Sequence, residues 1–399
     1  MNEPPQSLNI FDASAKIALA DATWNPVTGC SVVSPGCTNC YAMKLAGTRL
    51  KHHSSRAGLT VDSKAGPVWN GKVRLNEQWL DQPLRWTLPR MIFVCAHGDL
   101  FHESVPDEWI DRVFAVMALT PQHTYQVLSK RSARMRAYVS GFTCDGARRL
   151  NIAAAAGRMM EDGDNAHDYV ANAPWPLPNV WLGVSAEDQA RADERIPDLL
   201  ATPAAIRFVS AEPLLGPIDF ETAWVGENAL YSECWGDCAW CEKGHPPLHN
   251  CHRGRQSSAD FMRGRSGLEW IITGGESGPG ARPMHPDWAR QIRDQCAAAG
   301  VPFFFKQWGS WSAVSQMSED DIDRCYPPLR ERHPEETRHC LVDHHVLHAD
   351  GSRHGITDRD TFLQGTGAMT MFEVGKKRAG RLLDGIEHNG MPQREVPAL

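Results

Sequence analysis

The sequence predicts an α/β fold built as a full or partial (β/α) barrel, and three observations carry that prediction. Short apolar, β-rich runs recur between longer helix-compatible stretches, which is the signature of βαβ units around a mostly parallel sheet. The runs end repeatedly on polar residues, as strands do where a parallel sheet presents a ligand site. A Cys/His-rich segment interrupts the series and reads as an insertion.

The elements follow in order. An extended segment at 22–29 (ATWNPVTG) leads into the first cysteine. Six apolar runs come after it: 91–99 (MIFVCAHGD), 123–130 (HTYQVLSK), 179–185 (NVWLGVS), 205–213 (AIRFVSAEP), 268–276 (LEWIITGGE) and 301–309 (VPFFFKQWG). Helices are expected at 106–119, 187–201 and 286–299; the last has Pro286 at its start and Gly300 just past its end, the usual asymmetry of helix termini. Residues 144–177 are Ala-rich, then acidic, then Pro-rich, and predict an irregular or partly helical insertion. A second insertion is expected at 226–266. The predicted organisation is a barrel domain over 1–310 and a polar C-terminal extension over 311–399, whose best helix candidate is GKKRAGRLLDG. Strand-end residues Asp99, Lys130, Ser185, Glu212, Glu276 and Lys306 converge if the sheet is parallel.

Composition bounds the function. With 399 residues, 42% of them hydrophobic and 22% charged, the chain can bury a core of enzyme size. A net charge of −7 argues against coating nucleic acid non-specifically, which needs a concentrated surplus of Lys and Arg. No run of about 18 apolar residues predicts a membrane span. The opening MNEPPQSLNIFDAS lacks the basic start and apolar core of a signal peptide, so a cytoplasmic, reducing setting is expected. Twelve cysteines in such a setting, seven of them in two tight groups, point to metal.

Cys30, Cys37 and Cys40 stand at C-x6-C-x2-C spacing in a Gly- and Pro-containing loop. Three thiolates on a four-iron cluster leave one iron open to a chelating small molecule. A zinc site with a fourth ligand from elsewhere, or three buried thiols, are the competing readings of the same spacing.

NPVTGC followed by CTNCYA resembles the N-P-x-x-G-C and C-x-x-C-Y-A signature of a branch of the radical S-adenosylmethionine (SAM) superfamily that includes spore photoproduct lyase-like proteins. Together with GDLFHESVP, VLSKR, WLGVSAEDQARADERIPDLL, RFVSAEPLLGPI, GGESGPGARPMHPDW and PFFFKQWG, the string also resembles a phage and prophage family known chiefly by its three-cysteine motif. The likeness covers most of 20–310. Two departures from the commonest superfamily pattern stand out: a first gap of six residues rather than three, and Tyr41 after the third cysteine instead of an aromatic before it.

The resemblance implies a barrel of the radical SAM type, a 4Fe-4S cluster on Cys30, Cys37 and Cys40, and reductive cleavage of SAM to a 5'-deoxyadenosyl radical. It further implies that the cofactor would be met by Tyr41, Asp99, Lys130, Ser185, Glu187, Glu212, Gly274, Gly275 and Glu276, with Arg131 an alternative to Lys130 for its carboxylate. An electron donor such as flavodoxin or ferredoxin would serve it. The phage distribution suggests a nucleotide or DNA substrate.

The second group, Cys234, Cys238, Cys241 and Cys251 with His245, His249 and His252 nearby, suits structural zinc, and an auxiliary iron–sulfur cluster fits almost as well. Two further functions compete with the leading one. One is a zinc-stabilised nucleic-acid- or partner-binding protein without catalysis; the other is a radical SAM enzyme acting on a peptide or protein.

Overall fold

The computed structural model describes residues 19–142, 146–220, 267–326 and 339–392. Each of the six apolar runs contains a strand, and the segment before the first cysteine supplies another. They are β1 (Ala22–Trp24), β2 (Met91–Val94), β3 (Thr124–Ser129), β4 (Val180–Ser185), β5 (Ile206–Ala211), β6 (Trp270–Gly274) and β7 (Phe303–Gln307). They form one seven-stranded sheet in chain order, with β1 to β4 paired parallel and β5 to β7 paired parallel. The protein is therefore α/β. An order that begins at β1 and ends at β7 is compatible with a partial β/α barrel.

Every residue of β4, β5 and β6 is buried. That is how a parallel sheet covered on both faces reads, as continuous apolar runs rather than alternation.

The chain divides into two compact units. The first takes the described residues of Met1–Ser34, Cys40–Val184 and Asp198–Arg207; the second takes those of Pro35–Asn39, Ser185–Pro197 and Phe208–Leu399. In the first unit, α1 (Tyr41–Gly47) follows the cysteine loop, and its Ala42, Met43 and Ala46 pack with Leu59 and Trp69. Helix α2 (Asp107–Leu119) buries Ile110, Val113, Phe114 and Met117, one stripe at helical spacing. Phe114, Tyr138 of α3 (Ser132–Ser140) and Phe142 meet at ring-centroid separations of 5.4 to 5.7 Å.

Residues 144–177, expected to be irregular or partly helical, take the helical alternative. Their described part holds two helices, α4 (Ala147–Met159) and α5 (Gly163–Ala171), packed on each other and on α2. A Cβ on Gly157 would lie 2.9 Å from the Gly163 carbonyl oxygen, so the two glycines are what allow the backbones to approach. The Asp162 side chain accepts from Asn165 N–H and caps α5.

In the second unit, α6 (Gln189–Leu200), whose last residues belong to the first unit, follows β4, and α7 (Pro286–Ala299) occupies the expected residues. His285 caps α7 through Nδ1, Pro286 opens it, and Gly300 closes it in the left-handed conformation.

The polar tail, expected to hold only short pieces, contributes a four-stranded antiparallel sheet: β8 (Trp311–Ala313), β9 (His344–Leu347), β10 (Arg353–His354) and β11 (Met369–Glu373), ordered β8-β11-β9-β10. Of GKKRAGRLLDG, only Lys376–Ala379 is helical. Asp384, at a positive φ of 54°, accepts from Arg290 and Arg293 of α7 at 2.6 and 2.8 Å and from Gln316 at 2.9 Å.

Among the described residues, no helix is long and apolar enough to cross a membrane. The insertion at 226–266, with Cys234, Cys238, Cys241, Cys251, His245, His249 and His252, lies outside the described residues, as does Cys144.

Candidate functional site

The loop bearing Cys30, Cys37 and Cys40 leaves the carboxyl end of β1, and its two halves belong to different units. Each half has its own supports.

In the first unit, Val27–Thr28 pair antiparallel with Arg74–Leu75. Gly29 follows at φ +97°, where a Cβ would sit 2.2 Å from the Lys72 carbonyl oxygen. Its N–H donates to His97 O at 3.1 Å, and Gly98 approaches just as closely, since a Cβ there would lie 3.0 Å from Val27 O. The backbone entering Cys30 is thus pressed against the turn that follows β2, an approach that glycine alone permits.

The Cys30 sulfur, half-buried, accepts from an Arg131 Nη at 3.5 Å. Arg131 is itself 7% exposed, and its guanidinium is fully engaged. One Nη donates to Asp99 Oδ2 at 3.0 Å, the other to Ser31 O and Oγ at 3.2 and 2.8 Å, and Nε donates to Glu103 at 3.3 Å. Burial works against that charge, but Asp99, Cys30 and Glu103 outweigh it and raise the Arg131 pKa. His102 Nδ1 accepts from Ser104 N–H at 3.1 Å, which leaves the ring proton on Nε2 to donate to Ser31 Oγ at 3.0 Å. Burial first, then Arg131, hold the His102 imidazole below its usual range.

Asp99 is buried, and four protein donors fill its carboxylate. Phe101 N and Ser129 Oγ reach Oδ1, while Lys130 N and Arg131 reach Oδ2, all within 3.0 Å. In this structure Asp99 orders the strand-end turn and Arg131. Lys130 is half-buried. The Tyr41 hydroxyl donates to Ala96 O at 2.8 Å and ties the start of α1 to the same turn.

In the second unit, Pro35–Asn39 carries Cys37, which is 8% exposed in a short 3-10 turn. Gly36 N–H donates to Glu187 Oε1 at 3.0 Å, and Arg195 of α6 donates to Glu187 Oε2 at 3.0 Å and to Ser185 O at 2.9 Å. Glu187 and Arg195 form a pair with side chains 0% and 1% exposed. Asn39 donates to Glu276 Oε2 at 2.9 Å and to Gly280 O at 2.7 Å. Arg282 clamps Glu276 at 2.6 and 2.9 Å and donates to Pro35 O at 3.0 Å. Burial pushes the Glu276 carboxyl up, yet the donors from Arg282 and Asn39 outweigh it and lower its pKa. Two carboxylates expected at the cofactor therefore seat the middle of the cysteine loop.

Glu212 pairs with Lys306 at 2.8 Å and accepts from Gln307 at 3.3 Å. Gly274 lies against the Glu212 carboxylate, and a Cβ on Gly275 would fall 1.9 Å from Trp308 O, so GGE is here a backbone-packing requirement. Asn39, Arg195 and Arg282 carry the seating and were not singled out from the sequence. Their available signal is an opposite charge six to eight residues away across a turn, Glu276 to Arg282 and Glu187 to Arg195.

Among the described residues, no three His, Cys, Asp or Glu side chains are gathered closely enough to hold a metal ion. Three thiols in one loop are the donor kind and number that an iron–sulfur cluster takes, and one of the sulfurs accepts from a guanidinium.

Fold and site together define an α/β protein with a parallel seven-stranded sheet and a braced three-cysteine loop after its first strand. That class leaves the chemistry open. The chain belongs to the family described as Protein of unknown function (DUF5131), whose model matches residues 14–392. No curated protein and no solved structure matches it.

Proposed function

We propose that the chain is a radical SAM enzyme in a partial barrel of that superfamily's type. Cys30, Cys37 and Cys40 would hold a 4Fe-4S cluster at the carboxyl end of β1. The observation that carries this reading is the bracing of the loop. Buried charged groups, Arg131 at Cys30 and Glu187 with Glu276 at Pro35–Asn39, support a segment that offers three sulfurs. Cys30 and Cys40 also pack against the apolar cluster of Ala42, Met43, Ala46, Leu59 and Trp69, but core filling alone would not call for buried charges committed to the same loop.

When bound, the cluster would pass one electron to SAM, whose sulfonium bond breaks to give methionine and the 5'-deoxyadenosyl radical. The chain's own residues would hold Cys30 in place, order the turn after β2 through Asp99, and keep the middle of the loop seated. Tyr41, Lys130, Ser185, Glu212, Gly274 and Gly275 remain the candidates around SAM. A cytoplasmic setting, a flavodoxin- or ferredoxin-type electron donor and a nucleobase or DNA substrate complete the proposal, with zinc or a second cluster on Cys234, Cys238, Cys241 and Cys251.

Anaerobic reconstitution with iron and sulfide tests it. Wild-type protein is expected to bind about four irons per loop and to release 5'-deoxyadenosine from SAM under reductant, and Cys30→Ala to lose both. Stoichiometric zinc at this loop with no deoxyadenosine would replace the proposal with the zinc-stabilised binding protein. Turnover stimulated by a peptide or protein rather than by nucleotides or DNA would redirect the substrate.

A further inference from the structure

Arg131 stands apart from the other buried cations because its donors reach a cysteine sulfur. The guanidinium spans the Cys30 sulfur at 3.5 Å and Asp99 at 3.0 Å with one arm and Ser31 O and Oγ with the other, while Nε reaches Glu103 at 3.3 Å. It is 7% exposed, and Asp99 is held in turn by Ser129 and two backbone N–H groups. His102 fixes the Ser31 hydroxyl from the far side at 3.0 Å. Asp99 and Ser31, the partners of its two terminal arms, are themselves anchored, so the donor facing Cys30 cannot swing toward a small-molecule carboxylate without breaking those bonds.

We propose that Arg131 is a positioning and potential-setting residue for the Cys30 ligand, not a SAM-binding one. This rests on the cluster reading above. A fixed cationic N–H donor to a ligating sulfur stabilises the more negative, reduced cluster and raises its reduction potential. Loss of one such charge-assisted bond should shift the reduction equilibrium by about tenfold, which for a one-electron couple is about 59 mV.

The experiment compares wild type, Arg131→Lys and Arg131→Met after anaerobic reconstitution. Iron content, thermal unfolding and a potentiometric titration of the cluster followed by electron paramagnetic resonance are measured on each. The expected result is four irons in all folded variants with potentials falling in the order wild type, Arg131→Lys, Arg131→Met, the full tenfold shift appearing in Arg131→Met. Lys keeps the charge opposite Asp99 but lacks the fork that reaches the sulfur. If Arg131→Met fails to fold, the fall from wild type to Arg131→Lys decides.

Equal potentials in wild type and Arg131→Lys would overturn the inference while leaving the cluster intact. So would an unchanged potential accompanied by weakened SAM affinity, since Arg131 would then act on the cofactor. A wild type that takes up no iron would instead remove the reading on which the inference stands.

Discussion

The stretch from Gly29 to Ser31 is seated by backbone closeness and one guanidinium, whereas that from Pro35 to Asn39 is seated by two buried carboxylates. A guanidinium directs donors at a sulfur; carboxylates accept from backbone and amide N–H groups of the loop. The two halves of one loop therefore differ in what they do to their cysteines. On the proposed reading the first would act on the electronics of Cys30, while the second holds the residues on either side of Cys37. Substitutions can separate these roles.

The largest effect is expected from Arg195→Met. It leaves Glu187, fully buried, without its countercharge and should cost about 3–5 kcal/mol in denaturant unfolding. A loss below about 1 kcal/mol would show that Glu187 is not held as a charged anchor.

Gly29→Ala comes next, since it combines a left-handed backbone with a Cβ 2.2 Å from Lys72 O. About 2–4 kcal/mol of destabilisation is expected, together with reduced iron uptake; an alanine variant of wild-type melting temperature would mean that the turn relaxes freely.

Glu276→Gln should cost about 1–2 kcal/mol, because the Arg282 clamp loses its charge. The folded Glu276 pKa lies below its ordinary value of 4.5, so its contribution is complete above pH 4.5 and is lost as pH falls through the folded value. The difference between wild type and Glu276→Gln in urea titrations should accordingly shrink below pH 4.5. A gap that widened there would reverse the sign.

Smallest is Lys51→Ala, which removes an exposed pair with Asp62 at 2.9 Å beyond α1. A change within about 0.5 kcal/mol is expected, and it serves as the control for the other three.

The parallel sheet was legible because strands buried on both faces appear as continuous apolar runs; all six such runs contain strands. Helix α7 could be bounded because its Pro and Gly sit at the termini, where chain chemistry is local. The tail sheet was hidden because its pairs join strands far apart in sequence, and β9 opens on half-buried His344 and His345. Residues 147–171 could be read only as irregular or partly helical because an Ala-rich stretch has little polar contrast, and the close Gly157–Gly163 approach is a tertiary fact.

At the site, the cysteine spacing was plain. The seating was not, because Glu187 and Glu276 look the same in sequence whether they face a ligand or an arginine one turn away. Asp99 illustrates this most sharply: a polar strand end predicts a ligand contact, and the structure fills it with four donors from the protein.

Asp384 receives two arginines from one helix and a glutamine from the start of the tail. Removing the polypeptide from that aspartate onward would leave Arg290 and Arg293 only Asp287 and Asp294 of their own helix and undo the clasp that ties α7 to the tail. A protease cutting between Ala379 and Asp384 should therefore loosen α7 although it touches no peptide bond of that helix.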